Sequence, residues 1–393
     1  MDILPDDIIK CVMLKSDIKN IFLLCGTCKK LNSFCQPMVS EILSAKTGLN
    51  TRNYTLKQLH ILYLNNSFGD KRIVYKYGRT LIVKNNGEVF IMGLIDGKQC
   101  CEPKIVKDIK DVIKADIGEY FEVFLTKEGK VYTSNDICNI VLHPGIKQKL
   151  NLILDDVINI SAGGNYILML LSDGRVMGIG SNYSNQLGIK NKQIILEPTL
   201  IPNLKNIVEF GTVTCTSYFV SNDDKIYQSH INSEIKELIS IVNINKFLTN
   251  IINVTILQLV NEKLHPVIFN TDPWKENTKY TIDSNLNIIN ISTCGTILYL
   301  DNNGDVYING WIEKYIYKSI NEENLHDDFM LINSATKIKG LKDIIYIYNG
   351  GCNWFFVDIS YNLYVMGRNN HGVLGIGNLE KINKPTINTN III

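Results

Sequence analysis

The sequence predicts a mainly β protein, a propeller of seven hairpin units preceded by a small all-α segment. Three observations carry this reading. A unit made of an apolar run, a short polar turn and a second run rich in Val and aromatic residues recurs after residue 73. The copies are spaced by roughly 40 to 60 residues, a period that belongs to solenoids, arrays or propellers, and short strands with turn glycines favour propeller blades over helical repeats. The first forty residues follow a different rule, with apolar side chains at helical spacing and no strand alternation.

Length and composition set the bounds. The chain has 393 residues, 45% apolar and 20% charged, with a formal net charge of +1. That balance describes a soluble globular repeat protein with no global field drawing it to nucleic acid or to an anionic membrane. No apolar run approaches the ~18 residues that span a bilayer. The start, MDILPDDIIK, is acidic with Pro5 near its beginning, which is not a secretory signal. The expected location is therefore the cytoplasm, the nucleus or both, not the exterior. The ten cysteines form no framework and are expected to be reduced core thiols.

The N-terminal elements come in order. Pro5 suits the first position of a helix, and Asp6 and Asp7 complement its positive end. Ile8, Ile9, Val12 and Met13 form its stripe. Ser16-Asp17 caps a second helix carrying Ile18, Ile21, Phe22 and Leu24, and Cys28 to Phe34 begins a third. A unit this small buries too little surface to stand alone, so it needs a partner, either the rest of the chain or another protein. Cys25-Gly-Thr-Cys28 lacks a βαβ context and a second ligand pair, so thiols on helix faces are expected there.

Leu4-Pro5-Asp6-Asp7-Ile8, the Val12-Met13-Leu14 stripe, Leu23-Leu24, and Cys28-Lys29-Lys30-Leu31 with Phe34 resemble an F-box. The resemblance implies an F-box-like domain at 1–45 that docks on the Skp-type adaptor of a cullin-containing ubiquitin ligase. The contacts it implies are Leu4, Pro5, Ile8, Ile9, Val12, Leu24, Cys28, Leu31 and Phe34. The alternative is a helical cap packed on the remaining fold. Residues 46–72 are expected to form a partly helical linker. Thr55 to Leu64 offers Leu56, Leu59, Leu62 and Tyr63 as an inner face, and the turn cluster at 65–70 marks the boundary.

The repeats occupy 73–393. Their second strands align on Val89, Val131, Val176, Ile226, Leu264, Val306 and Leu363. Most copies are preceded by a strand ending at Gly, which permits a left-handed backbone or close strand approach. The fifth, at 251–269, lacks this Gly and its turn Gly, and is the least regular. Two copies continue into Asn182-Tyr-Ser-Asn-Gln186-Leu-Gly188 and Asn370-His-Gly372-Val-Leu-Gly375-Ile-Gly377, each followed by a proline-led strand. The whole unit resembles the regulator-of-chromosome-condensation repeat, a family that folds as a seven-bladed β-propeller. Residues 387–393 are expected to share a blade with 73–93, closing the ring.

Reactive chemistry is not visible. There is no phosphate loop, HExxH or GxSxG, and the six histidines are scattered. No catalytic residue, cofactor or metal is expected. Trp354 lies within a strand run and should be core. Trp274 lies in a turn, and a long insertion at 312–337 carries Tyr315 and Tyr317, so these three are the candidate substrate contacts. The functional expectation is a non-catalytic substrate-recognition subunit of a Skp–cullin–F-box ubiquitin ligase, with a protein substrate held by the propeller. The alternatives are a guanine-nucleotide exchange factor for a small GTPase and a scaffold or chromatin-binding propeller. The near-neutral charge argues against nucleic acid.

Overall fold

The computed structural model describes residues 18, 21–22, 29–47, 49–68, 72–134, 150–190, 192–229, 235–240, 244–249, 253–260, 263–270, 286–313 and 329–393. Their strands form seven antiparallel sheets. Six are four-stranded, with strands adjacent in chain order, at 73–105, 112–154, 157–200, 207–240, 288–337 and 344–392. These are blades I to IV, VI and VII of a propeller. Between IV and VI stands sheet V, at 244–270, with three strands among the described residues. This is the copy that lacks the repeat glycines.

The first strands of neighbouring units pack on one another and line the axis, while the fourth strands lie outermost. The second strands sit between neighbouring blades. Tyr166–Leu171, Thr296–Asp301 and Asn353–Asp358 are buried at every position. That is why they read as continuous apolar runs rather than as alternating ones. Trp354, as expected, is core, and it pairs with Met366 across the hairpin.

The turn glycines join blades as well as turning the chain. Gly87 and Gly304 have φ of +82° and +79°, a region that disfavours side chains. The first residue of the next blade donates its N–H to the glycine carbonyl, Val112 to Gly87 at 3.2 Å and Ile344 to Gly304 at 3.0 Å. A Cβ on Gly87 would lie 2.6 Å from Asp111 Cα.

The two glycine-rich loops share one organiser. Asn182 Oδ1 accepts from Leu187 N at 2.9 Å, and its Nδ2 donates to Ile189 O and Lys192 O. Asn369 does the same with Leu374 N at 2.9 Å and Asn378 O at 2.8 Å. The equivalent of Asn182 is thus Asn369, one residue earlier than the sequence alignment placed it.

Closure differs from the expectation. The strand Ile382–Ile392 pairs with the third strand of blade VII, with Tyr364 opposite Ile387, and blade I supplies all four of its own strands. Residues 387–393 therefore do not share a blade with 73–93. Blade VII meets blade I laterally instead. Thr80 Oγ1 donates to Val373 O at 2.8 Å, just as Ser217 Oγ donates to Gln186 O at 2.6 Å between blades III and IV. The Tyr348 hydroxyl accepts from Tyr75 N at 2.9 Å. The VII–I junction repeats the contact of an ordinary internal one.

Two helices precede the ring. Helix α1, Lys29–Thr47, and helix α2, Leu56–Phe68, both run past their expected ends. Thr55 and Gln58 form a reciprocal cap at the start of α2. Gln58 Oε1 accepts from Thr55 N at 2.7 Å, and Thr55 Oγ1 accepts from Gln58 N at 3.3 Å. Cys35 is disulfide-bonded, which corrects the reading of all the cysteines as reduced, while Cys100, Cys101, Cys215, Cys294 and Cys352 are free. No helix among the described residues is long and apolar enough to cross a membrane.

Candidate functional site

The loops divide the propeller into two faces. Each blade's first strand is entered, and its second strand turned into the third, on one face. The remaining loops open on the other. The helices sit on the first of these. Val39 and Leu43 of α1 and Leu59, Ile61 and Leu62 of α2 share one apolar cluster with Ile288 and Ile289 of blade VI and Ile344 and Ile347 of blade VII. Polar contacts fix the seat. Asn65 Nδ2 donates to Ile345 O at 2.7 Å, Gln58 Nε2 to Asn303 Oδ1 at 2.7 Å, and Lys57 pairs with Asp343. Burial pushes the Tyr54 phenol up to about 12, opposed by a hydrogen bond with Asn302. Phe22 stacks on His60 with ring centroids 4.5 Å apart.

Helices α1 and α2 thus use the propeller as their partner. Of the residues implied to contact an adaptor, Leu31 and Phe34 fall on α1. Leu4, Pro5, Ile8, Ile9, Val12, Leu24 and Cys28 lie outside the described residues, as do Trp274, Tyr315 and Tyr317. The insertion at 312–337 is shorter than expected. Val306–Glu313 and Phe329–Lys337 are paired strands, with Glu313 opposite Phe329.

Around the axis, polar side chains tie successive first strands together. Lys76 Nζ lies 2.7 Å from Asp116 Oδ1 and donates to Ala162 O at 2.9 Å. Lys114 Nζ donates to Asn159 Oδ1 at 2.9 Å, and Asn159 Nδ2 to Glu209 Oε1 at 2.6 Å. Between second strands, Arg79 of blade I pairs with Glu122 of blade II, which also accepts from Ser134. Buried charges satisfied in this way hold geometry. Burial also raises the thiols of Cys215, Cys352 and Cys294, the last to about 12, so little nucleophilic thiolate forms at neutral pH. No group of three or more His, Cys, Asp or Glu among the described residues could hold a metal ion.

The opposite face presents exposed aromatics, Tyr120, Tyr183 and Trp311. Trp311 is 57% exposed and lies across the ladder from the exposed Leu331, on the hairpin that projects from blade VI. Sequence reasoning left it unassigned. The signal was its place directly after the strand-closing Gly310, where the equivalent positions hold Ser181 and Arg368.

Comparison with known proteins adds a family signal. The family described as "Regulator of chromosome condensation (RCC1) repeat" matches residues 157–186, within blade III. The chain is 33% identical over 149 residues to the E3 ubiquitin-protein ligase HERC2 of Mus musculus, spanning 33% of this chain and 3% of that protein. It is 28% identical over 147 residues to Protein pim1 of Schizosaccharomyces pombe, spanning 30% of this chain and 27% of that one. The match therefore covers only a minor part of these relatives' lengths. Among solved structures, Prp20p from Saccharomyces cerevisiae aligns with a TM-score of 0.43 and 15% identity over 81% of this chain and 76% of that one. Human WBSCR16 aligns with a TM-score of 0.40 and 18% identity over 82% of each.

Proposed function

We propose that this RCC1-repeat propeller is a non-catalytic substrate-recognition subunit of a Skp–cullin–F-box ubiquitin ligase. The observation that carries the reading is the F-box-like pattern of Leu4 to Phe34; the seating of α1 and α2 on blades VI and VII, fixed by Asn65, Gln58 and Lys57, is compatible with it. A receptor that acts by proximity must hold its adaptor-binding segment at a set position relative to its substrate surface. The segment Leu4 to Phe34, with its F-box-like residues, leads directly into this seated pair. The substrate surface is the opposite face, where Trp311 offers the kind of exposed aromatic that anchors interfaces. Sheet V is the seventh blade of the ring in this reading. The 33% identity to a ubiquitin-protein ligase over 149 residues is consistent with the same pathway.

The test is co-purification. The full chain should bring down a Skp-type adaptor, and replacing Leu4, Pro5 and Ile8 together with polar residues should abolish this without changing the melting temperature. A wild-type chain that binds no such adaptor sinks the proposal. Stimulated nucleotide release from a small GTPase would move the protein to the exchange-factor alternative.

A further inference from the structure

Each first strand of blades II, III, IV, VI and VII carries a bulge near its start, shown by a register shift against the second strand. The extra residue is Ile113, Ile158, Val208, Ile289 and Ile345 in turn. All five are β-branched and apolar, and all lie on the face that carries the helices. Their surroundings differ sharply. Ile289 and Ile345 are 6% and 0% exposed. Ile289 shares an apolar cluster with Leu59, Ile61 and Leu62 of α2, and the Ile345 carbonyl accepts from Asn65. Ile113, Ile158 and Val208 are 39%, 51% and 53% exposed.

We propose that Ile113, Ile158 and Val208 form a docking crescent for a helix of a partner protein, seated as α2 is seated on blades VI and VII. The occupant follows from the equivalence of position. The same chain already places a helix on this bulge, using apolar side chains plus one side-chain amide that donates to the bulge carbonyl. The three residues also sit at fixed spacing, because the next residue of each strand is tied to its neighbour through Lys114, Asn159 and Glu209. The crescent is bounded at sheet V, where the corresponding position is Asn245. Lys110, Asp111, Asp155, Asp156 and Lys205 flank it with mixed sign. A helix burying apolar surface suits that rim better than a nucleic acid or an anionic membrane. The inference is independent of the adaptor reading.

The probe is a fluorescein-labelled peptide of residues 54–68, which carries α2, titrated into the full chain and followed by anisotropy. Saturable binding is expected, weakened at least tenfold by Ile158→Asp with Val208→Asp. The milder pair Ile113→Ala and Val208→Ala should weaken it less. Leu196→Asp, at an exposed position on an outer strand, should leave it unchanged, and all variants should keep the wild-type melting temperature. Raising salt from 50 to 500 mM should change affinity by less than about twofold, as expected when few ions are released. Absence of saturable binding, equal binding by the Asp variants, or steep loss with salt overturns the proposal. So does a dimer in sedimentation that Ile158→Asp dissociates, since the occupant would then be a second copy.

Discussion

At the scale of single residues, the repeat is held by a turn position of positive φ, filled by Gly87, Gly129, Gly174 and Gly304, and by Asp224 and Tyr361 in blades IV and VII. Gly304 adopts φ +79°, and an added Cβ would lie 2.8 Å from Ile344 N, on the next blade. Gly340 has a similar φ of +84° with nothing within 4 Å of that Cβ. Gly340→Ala should therefore cost about 1–2 kcal/mol for the left-handed backbone alone. Gly304→Ala should cost clearly more, because the VI–VII junction must also open. Urea denaturation of the two variants separates these contributions, and equal losses would contradict a joining role for the turn. These glycines were legible as turn residues in the sequence. The part of Gly87, Gly129 and Gly304 in joining blades was not, since the partner lies 25 to 40 residues further on. Asn182 and Asn369 were harder to place, because nothing local distinguishes a loop-organising Asn from its neighbours in an Asn-rich chain.

At the scale of elements, hairpins were the most legible feature and helix docking the least. An apolar run followed by a Val-aromatic run needs only local pattern to be seen, and six complete blades follow from it. The seat of α2 depends on Asn65 meeting Ile345, which no local pattern encodes. Docking leaves a measurable signature at His60. Burial lowers its pKa below the usual 6.5, so the fold favours the neutral ring. The unfolded chain takes up more protons as pH falls through 6.5, so this contribution to stability is present at neutral pH. It is lost as pH drops from 6.5 towards the folded value. His60→Gln should flatten the fall in melting temperature between pH 7.5 and 5 relative to wild type. Parallel curves for the two proteins would mean that His60 titrates equally in both states.

At the scale of the whole molecule, the ring closes by lateral packing between complete blades. The C-terminal residues still matter, though not by completing blade I. Ile391 and Ile393 are buried, and Asn388 and Asn390 donate to the carbonyls of Leu374 and Gly375 in the loop that meets blade I. Deleting 388–393 should lower the melting temperature by several degrees and increase amide exchange in both blade VII and blade I. A change confined to blade VII would show that the VII–I contact stands without that loop. The propeller class was legible from the period together with the short strands and turn glycines. The site was much less so, because a binding surface here is assembled from one residue per blade, and no stretch of chain holds more than one of them. The helices add an order of events. Residues 29–68 precede the ring in the chain, yet Asn65 binds a carbonyl 280 positions later, in blade VII. During translation the helices must wait for blades I to VI and the start of VII before their seat exists. A nascent or truncated chain lacking blades VI and VII would carry its N-terminal segment without that anchor. Seating of α2 therefore reports that the ring is finished, and any partner that requires the seated geometry would pass over incomplete copies.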